Sequence, residues 1–125
     1  MISLVENAIK EIKPDEIYVN YYDDTHQDHR VLTECVISAS RYNKKVLFYE
    51  DFTSRNFQPD IFVDIEKVLY KKMDLLKKHA SQVNKNTPTN WDLVESVKAM
   101  ANFRGFQGKV KYAEGFKAYR YLKEI

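Results

Sequence analysis

Two short apolar segments separated by a helical pattern constrain this fold more than any other sequence feature. Residues 16–22 and 45–50 are rich in β-branched and aromatic side chains, which is typical of buried strands. Between them, Leu32, Val36 and Ala39 recur at the spacing of one helix face. A strand, a helix and a second strand make a βαβ unit, which predicts parallel strands joined by a right-handed crossover.

The rest of the chain extends this unit into a predicted α/β fold with a partial Rossmann-like sheet. The further predicted elements are a helix over about 3–12 with Ser3 as its N-cap, an extended segment over 57–65, an amphipathic helix over 65–80, a helix capped by Asn90 and ended by Gly105 and Gly108, and a strand from about 115 to 121. The loop at 84–90 is short and both of its flanks are amphipathic, so residues 1–125 are predicted to form a single domain.

Charge and hydropathy limit the classes of partner that we expect. The chain has 20 Lys and Arg against 18 Asp and Glu, which supplies no general electrostatic reason to bind nucleic acid or an acidic membrane. No apolar run approaches the roughly 18 residues of a membrane span, and the first residues do not resemble a signal peptide. We therefore expect a soluble, cytoplasmic protein, in which the lone Cys35 is a buried apolar residue.

Two histidines lie where the first predicted strand gives way to a helix, which is where α/β folds place their sites. The stretch reads Asp23-Asp-Thr-His-Gln-Asp-His-Arg30. His29 falls in the first turn of the helix, where the dipole favours a neutral imidazole that can donate a lone pair to a metal. Asp28 could hold a histidine tautomer. The alternative, that Asp28 only caps the helix and both histidines are surface residues, stays open at this point.

The same stretch resembles the second signature of the LmbE-like, or PIG-L, zinc-dependent N-deacetylases, usually written His-Pro-Asp-His. Further resemblances follow in the order of that family. They are Pro14-Asp-Glu-Ile-Tyr-Val19 before the signature, and after it Arg41, Val46-Leu-Phe-Tyr-Glu50, Phe57-Gln-Pro-Asp-Ile-Phe-Val-Asp-Ile65, Lys72 with His79-Ala-Ser-Gln82, Arg104-Gly105, and Tyr112-Ala-Glu-Gly-Phe116. Together they cover nearly the whole chain.

The resemblance implies a function and three residue roles. Members of the family remove acetyl groups from N-acetylglucosamine-type sugars. His29 matches the zinc ligand from this half of the fold. His26 matches the histidine that stabilises the tetrahedral intermediate or protonates the leaving amine, and Asp28 matches the carboxylate that orients His26. Gln27 stands where the family usually has proline.

The first signature of the family, Ala-His-Pro-Asp-Asp-Glu, has no match in this sequence. That signature supplies two further zinc ligands and the general base, so the resemblance covers only the C-terminal part of the family domain. A catalytic zinc normally has three protein ligands and one open position. We therefore expect the isolated chain to bind zinc weakly and to lack deacetylase activity, and to associate with itself or with a polypeptide carrying the missing half.

Two other interpretations remain at this stage. The chain could be a non-catalytic module, derived from the same fold, that binds a protein or a glycan. It could also use His26, Asp28 and His29 for a different metal or phosphate-ester chemistry, with ligands from a second subunit.

Overall fold

The computed structural model describes residues 1–83 and 91–125 and has the predicted α/β class. In chain order the elements are α1 (Ile2–Ile12), β1 (Ile17–Asn20), α2 (Gln27–Ala39), β2 (Lys45–Tyr49), β3 (Ile61–Asp64), α3 (Leu69–Val83), α4 (Leu93–Gly108) and β4 (Ala113–Tyr121). The strands form a mixed sheet in the order β1-β2-β4-β3. A search of the described helices finds none that could cross a membrane.

The chain divides into two compact units, one of Met1–Ile61 with Gly115–Ile125 and one of Phe62–Glu114. In the first unit β1 and β2 pair in parallel, with Ile17 opposite Val46, which confirms the predicted βαβ core. β4 pairs antiparallel with β2 and makes the sheet mixed. The carboxyl ends of β1 and β2 consequently lie at the same edge of the sheet, where a site is expected.

The core of the first unit is formed by side chains of β1, β2 and α2, together with the residue just after β1. Its buried members are Val19, Tyr21, Val36, Val46 and Phe48.

The prediction for α2 was wrong about one residue of the buried helix face. Leu32 is 41% exposed, whereas Thr33 is fully buried. The Thr33 hydroxyl lies 2.9 Å from the Asn20 carbonyl oxygen and 2.7 Å from that of His29, so its polar atom is satisfied inside the core. Cys35, predicted to be buried, is half-buried.

Helix α1 has nearly the predicted bounds but buries less than its apolar stripe suggests. Val5 and Ile9 are half-buried, while Leu4 and Ile12 are 71% and 72% exposed. The predicted N-cap is also wrong, because the helix begins after Met1 and has no side-chain cap.

The second unit contains α3 and α4, and its core consists of Ile65, Leu69 and Ala101, with Met73 and Tyr112 packed against them. The predicted start of α3 at residue 65 is four residues too early. Residues 66–68 form turns, and α3 begins at Leu69.

Helix α4 is capped by Asp92, whose carboxylate accepts the backbone N–H groups of Val94 and Glu95. The predicted cap Asn90 and the loop at 84–90 lie outside the described residues. Gly105 lies inside α4 rather than at its end, and Gly108 is its last residue, as predicted.

Candidate functional site

Two loops at the carboxyl edge of the parallel strands are joined to each other. The loop after β1 meets the loop after β2 through a bridge between Asp24 and Ser54. The Arg55 N–H donates to the Asp23 carbonyl at 2.7 Å, and the Arg55 guanidinium and the Asn56 amide both contact the Asp23 carboxylate at 3.1 Å. These contacts tie the end of β1 to the second loop just before the histidine stretch.

Asp24 is the buried centre of this edge, with a side chain that is 0% exposed. Its Oδ1 accepts the His26 N–H at 2.8 Å, and its Oδ2 lies 3.0 Å from Nδ1 of His29. Its own carbonyl accepts Nη1 of Arg30 at 2.7 Å. Burial acts to raise the pKa of Asp24, but hydrogen bonds from Thr53, His26 and His29 outweigh it, so the pKa lies below its ordinary value.

The Asp24 contact selects the tautomer of His29. An ionised carboxylate can only accept, so Nδ1 of His29 carries the proton, and Nε2 of the neutral ring keeps its lone pair. Asp51 Oδ2 lies 3.8 Å from the same Nδ1, and the Thr53 hydroxyl lies 3.5 Å from it. His29 is 26% exposed, so the ring is oriented by the protein and remains accessible. This carboxylate–histidine arrangement is the one that orients metal-ligating histidines.

His26 presents the opposite hydrogen-bonding character. Its Nδ1 accepts the backbone N–H of Asp28 at 3.2 Å and caps α2. In the neutral ring the proton is then on Nε2, which can donate to another molecule. The His26 and His29 rings stack with centroids 4.2 Å apart and an interplanar angle of 10°. The start of α2 therefore carries a donor nitrogen on His26 and a lone-pair nitrogen on His29.

The structure places the predicted site residues together but connects them differently from the prediction. His26 and His29 lie at the end of β1, as expected. Asp28 contacts His26 through its backbone N–H, and its side chain is exposed. The His29 ring instead contacts the carboxylate of Asp24 at 3.0 Å and lies 3.8 Å from that of Asp51, and the sequence prediction singled out neither residue. An available signal was that an Asp side chain often accepts the N–H two residues on, which would turn Asp24 toward the histidines.

Aromatic residues just beyond β1 border this edge. Tyr21 is buried against Phe48 and Phe57, with ring centroids 5.6 and 5.0 Å away. The Tyr21 hydroxyl donates to that of Tyr22 at 3.1 Å, and Tyr22 is 54% exposed. This hydrogen bond and burial raise the pKa of Tyr21 to about 12. Of this pair, Tyr22 therefore presents the accessible ring.

The raised Tyr21 pKa predicts a loss of stability at high pH. The ordinary value is 10.0, so the contribution is fully present below pH 10 and is lost as pH rises from 10 through 12. The absorbance of the Tyr21 phenolate is the difference between the titrations of the unsubstituted protein and of Tyr21→Phe. We expect this difference to develop near pH 12. Tyr22→Phe should move it toward pH 10. A Tyr21 signal developing near pH 10 in the unsubstituted protein would contradict this assignment.

The residues present do not by themselves fit a catalytic zinc. Among residues 1–83 and 91–125, no group of three or more His, Cys, Asp or Glu side chains could hold a metal ion. His79 is exposed on α3, and Glu114 pairs with Lys72 at 2.8 Å within the second unit. Within these residues, the oriented His29 ring does not by itself make a metal site.

These features define an α/β fold with a histidine–carboxylate site at the carboxyl edge of its parallel strands. No protein-family profile matches the chain. Among solved structures, the fold is similar to that of the conserved protein TT1542 from Thermus thermophilus, with a TM-score of 0.79 and 20% identity over 99% of this chain and 59% of that one.

Two further structures with the same fold carry named activities. The 4-carboxy-2-hydroxymuconate hydratase GalB from Pseudomonas putida KT2440 matches with a TM-score of 0.78 and 19% identity over 99% of this chain and 60% of that one. The N,N'-diacetylchitobiose deacetylase from Pyrococcus horikoshii matches with a TM-score of 0.70 and 22% identity over 93% of this chain and 49% of that one. This chain therefore spans less than two thirds of the length of each.

Proposed function

We propose that this chain forms the C-terminal part of an LmbE-like, or PIG-L, zinc-dependent N-deacetylase domain that acts on N-acetylglucosamine-type sugars. The observation that carries the proposal is the Asp24–His29 pair, which leaves a lone pair on Nε2 of His29 at the carboxyl edge of β1. The fold shared with a chitobiose deacetylase supports it. In this proposal His29 is a metal ligand and Asp24 is the residue that positions it.

The hydrogen bonds of His26 suit the role proposed for it. Because its Nδ1 accepts from Asp28, its Nε2–H is free to donate to a substrate oxygen or to a leaving amine. Asp28 acts on His26 through the backbone N–H that holds the ring, and so it supports His26 without touching the substrate.

The remaining ligands and the general base are proposed to come from a further polypeptide segment. The chain spans about half to 60% of the length of the neighbouring structures. β1 lies at the edge of the sheet, and the exposed apolar residues of α1 provide surface that such a segment would cover. The partner is either that segment or a second copy of this chain.

A second candidate is a non-catalytic module that binds a protein or a glycan. The observation that favours it is the incomplete donor set of the described residues. The two candidates differ in whether Nε2 of His29 binds a metal ion.

Zinc binding by the purified chain tests the proposal. We expect a dissociation constant of about 10 µM or weaker, because one histidine supplies only part of a site. His29→Ala should abolish this binding, whereas His79→Ala, which removes an exposed histidine of α3, should leave it unchanged. Competition with a chromophoric chelator measures all three. If the unsubstituted chain and His29→Ala bind zinc with equal affinity, His29 is not a zinc ligand.

Acetate release from N,N'-diacetylchitobiose provides the functional readout. The chain alone should release none, and adding a polypeptide that carries the His-Pro-Asp-Asp half should produce activity. In that pair His29→Ala should abolish activity and leave association intact. Tight, stoichiometric binding of zinc by the isolated chain would contradict the proposal that its metal site lacks ligands. A pair that associates without activity would favour the non-catalytic module.

A further inference from the structure

Helix α4 carries apolar side chains on two opposite faces. Ala101 and Gly105 are buried in the second unit. On the other side Ala99, Phe103 and Phe106 are exposed, with Phe103 at 56% and Phe106 at 80%. These residues are spaced by four and three, so they line one stripe along the helix, which we call the α4 outer stripe. Large exposed aromatic side chains in a contiguous stripe are typical of an interaction surface.

The stripe is complementary to itself in one orientation. Ala99, the small member, lies toward the N-terminal end of α4, and Phe106, the most exposed member, lies toward the C-terminal end. When two copies of α4 pack antiparallel about a twofold axis near Phe103, each Phe106 faces the Ala99 of the other copy. A large side chain then meets a small one twice, as knobs meet holes in helix packing.

The charges along α4 fit the same arrangement. Nζ of Lys109 lies 5.7 Å from the centroid of the Phe106 ring, so this ammonium group stands at the Phe106 end of the stripe. Glu95 is exposed one helical turn before Ala99. Docking Phe106 on the Ala99 of a second copy therefore brings Lys109 close to the Glu95 of that copy. An acid at one end and a base at the other are complementary only in the antiparallel orientation.

We propose that the α4 outer stripe is a homodimer interface in which two copies of this chain pack α4 against α4 antiparallel. The interface is formed by one helix face, so it buries less than about 1,200 Å², which is typical of weak association. The proposal does not depend on the proposed function, because no residue of the histidine–carboxylate site takes part.

Sedimentation velocity of the full chain over a concentration series tests the interface. We expect a monomer–dimer equilibrium whose dissociation constant rises about tenfold or more in Phe106→Ala. Glu95→Lys and Lys109→Glu should each weaken the dimer, and the double variant should restore the affinity to within about twofold because the pair is exchanged rather than lost. Tyr42→Ala removes an 88% exposed aromatic ring elsewhere on the chain and should leave the equilibrium unchanged.

Each remaining outcome counts against the proposal. A chain that stays monomeric at every concentration overturns it. A dimer that survives Phe106→Ala, or charge reversals without recovery in the double variant, places the interface on another surface, such as the β1 edge. These surface substitutions should leave the melting temperature within a few degrees of that of the unsubstituted chain, since none removes a buried group.

Discussion

Asp24→Ala is expected to lower the free energy of unfolding by about 3 kcal/mol, because it removes the acceptor of a buried network. The Asp24 carboxylate accepts the His26 N–H and contacts the His29 ring while fully buried. Removing it leaves both groups without this acceptor. Urea denaturation followed by circular dichroism measures the change.

Asp28→Ala is the matched control, since it removes an exposed carboxylate four residues away on the same stretch. Its cost should be about 0.5 kcal/mol, the loss of a favourable charge at a helix N-terminus. Similar losses in both variants would contradict the central position of Asp24. The pKa of Asp24 is lowered on folding, so its contribution is present above its ordinary value of 3.8 and is lost as pH falls through the folded value. In Asp24→Ala this part of the pH dependence of the free energy of unfolding should be absent.

Asp24→Asn separates the positioning role from stability. The amide oxygen can still accept the His26 N–H, but the amide NH₂ then faces Nδ1 of His29. His29 should change tautomer, with the proton moving to Nε2, and the lone pair proposed to bind metal is lost. Nitrogen chemical shifts of the His29 ring report this change directly. An unchanged tautomer in a folded Asp24→Asn variant would show that Asp24 does not select it.

Gly105→Ala is expected to destabilise the second unit by about 3 kcal/mol. A Cβ at Gly105 would lie 2.5 Å from the Lys111 carbonyl oxygen and 2.8 Å from the Tyr112 nitrogen. Both are backbone atoms, so relief requires the chain after α4 to move. Alanine is favoured over glycine in a helix by about 1 kcal/mol, which the clash outweighs. Thermal unfolding monitored by circular dichroism measures the result.

Gly108→Ala is the comparison for this prediction. Its Cβ would lie 2.9 Å from Cβ and Cγ of Phe62, which are the atoms of that side chain nearest the backbone, so relief requires a shift of Phe62 itself. Because this contact is longer than the 2.5 Å contact at Gly105, the cost should be smaller, about 2 kcal/mol. A Gly105→Ala variant as stable as the unsubstituted chain would mean that the segment after α4 can move away freely.

Strands and helices followed from the sequence where periodicity was strong. The parallel pairing of β1 with β2 could be predicted because each strand is apolar, a helix separates them, and the crossover has a fixed hand. The place of His26 and His29 followed from the same reasoning. The face that α2 buries could not be predicted, because Thr33 is polar by type and becomes a core residue only when the Asn20 carbonyl is beside it.

The connections within the site depended on tertiary structure. The sequence alone determined that two histidines and nearby carboxylates stand at the end of a strand. It could not determine that Asp51 and Thr53 also lie near Nδ1 of His29, because they belong to a loop that is distant in the chain and is brought to the same edge by the parallel pairing of β1 and β2. Local periodicity specifies elements, whereas the partner of a side chain is decided by which loops the sheet brings together.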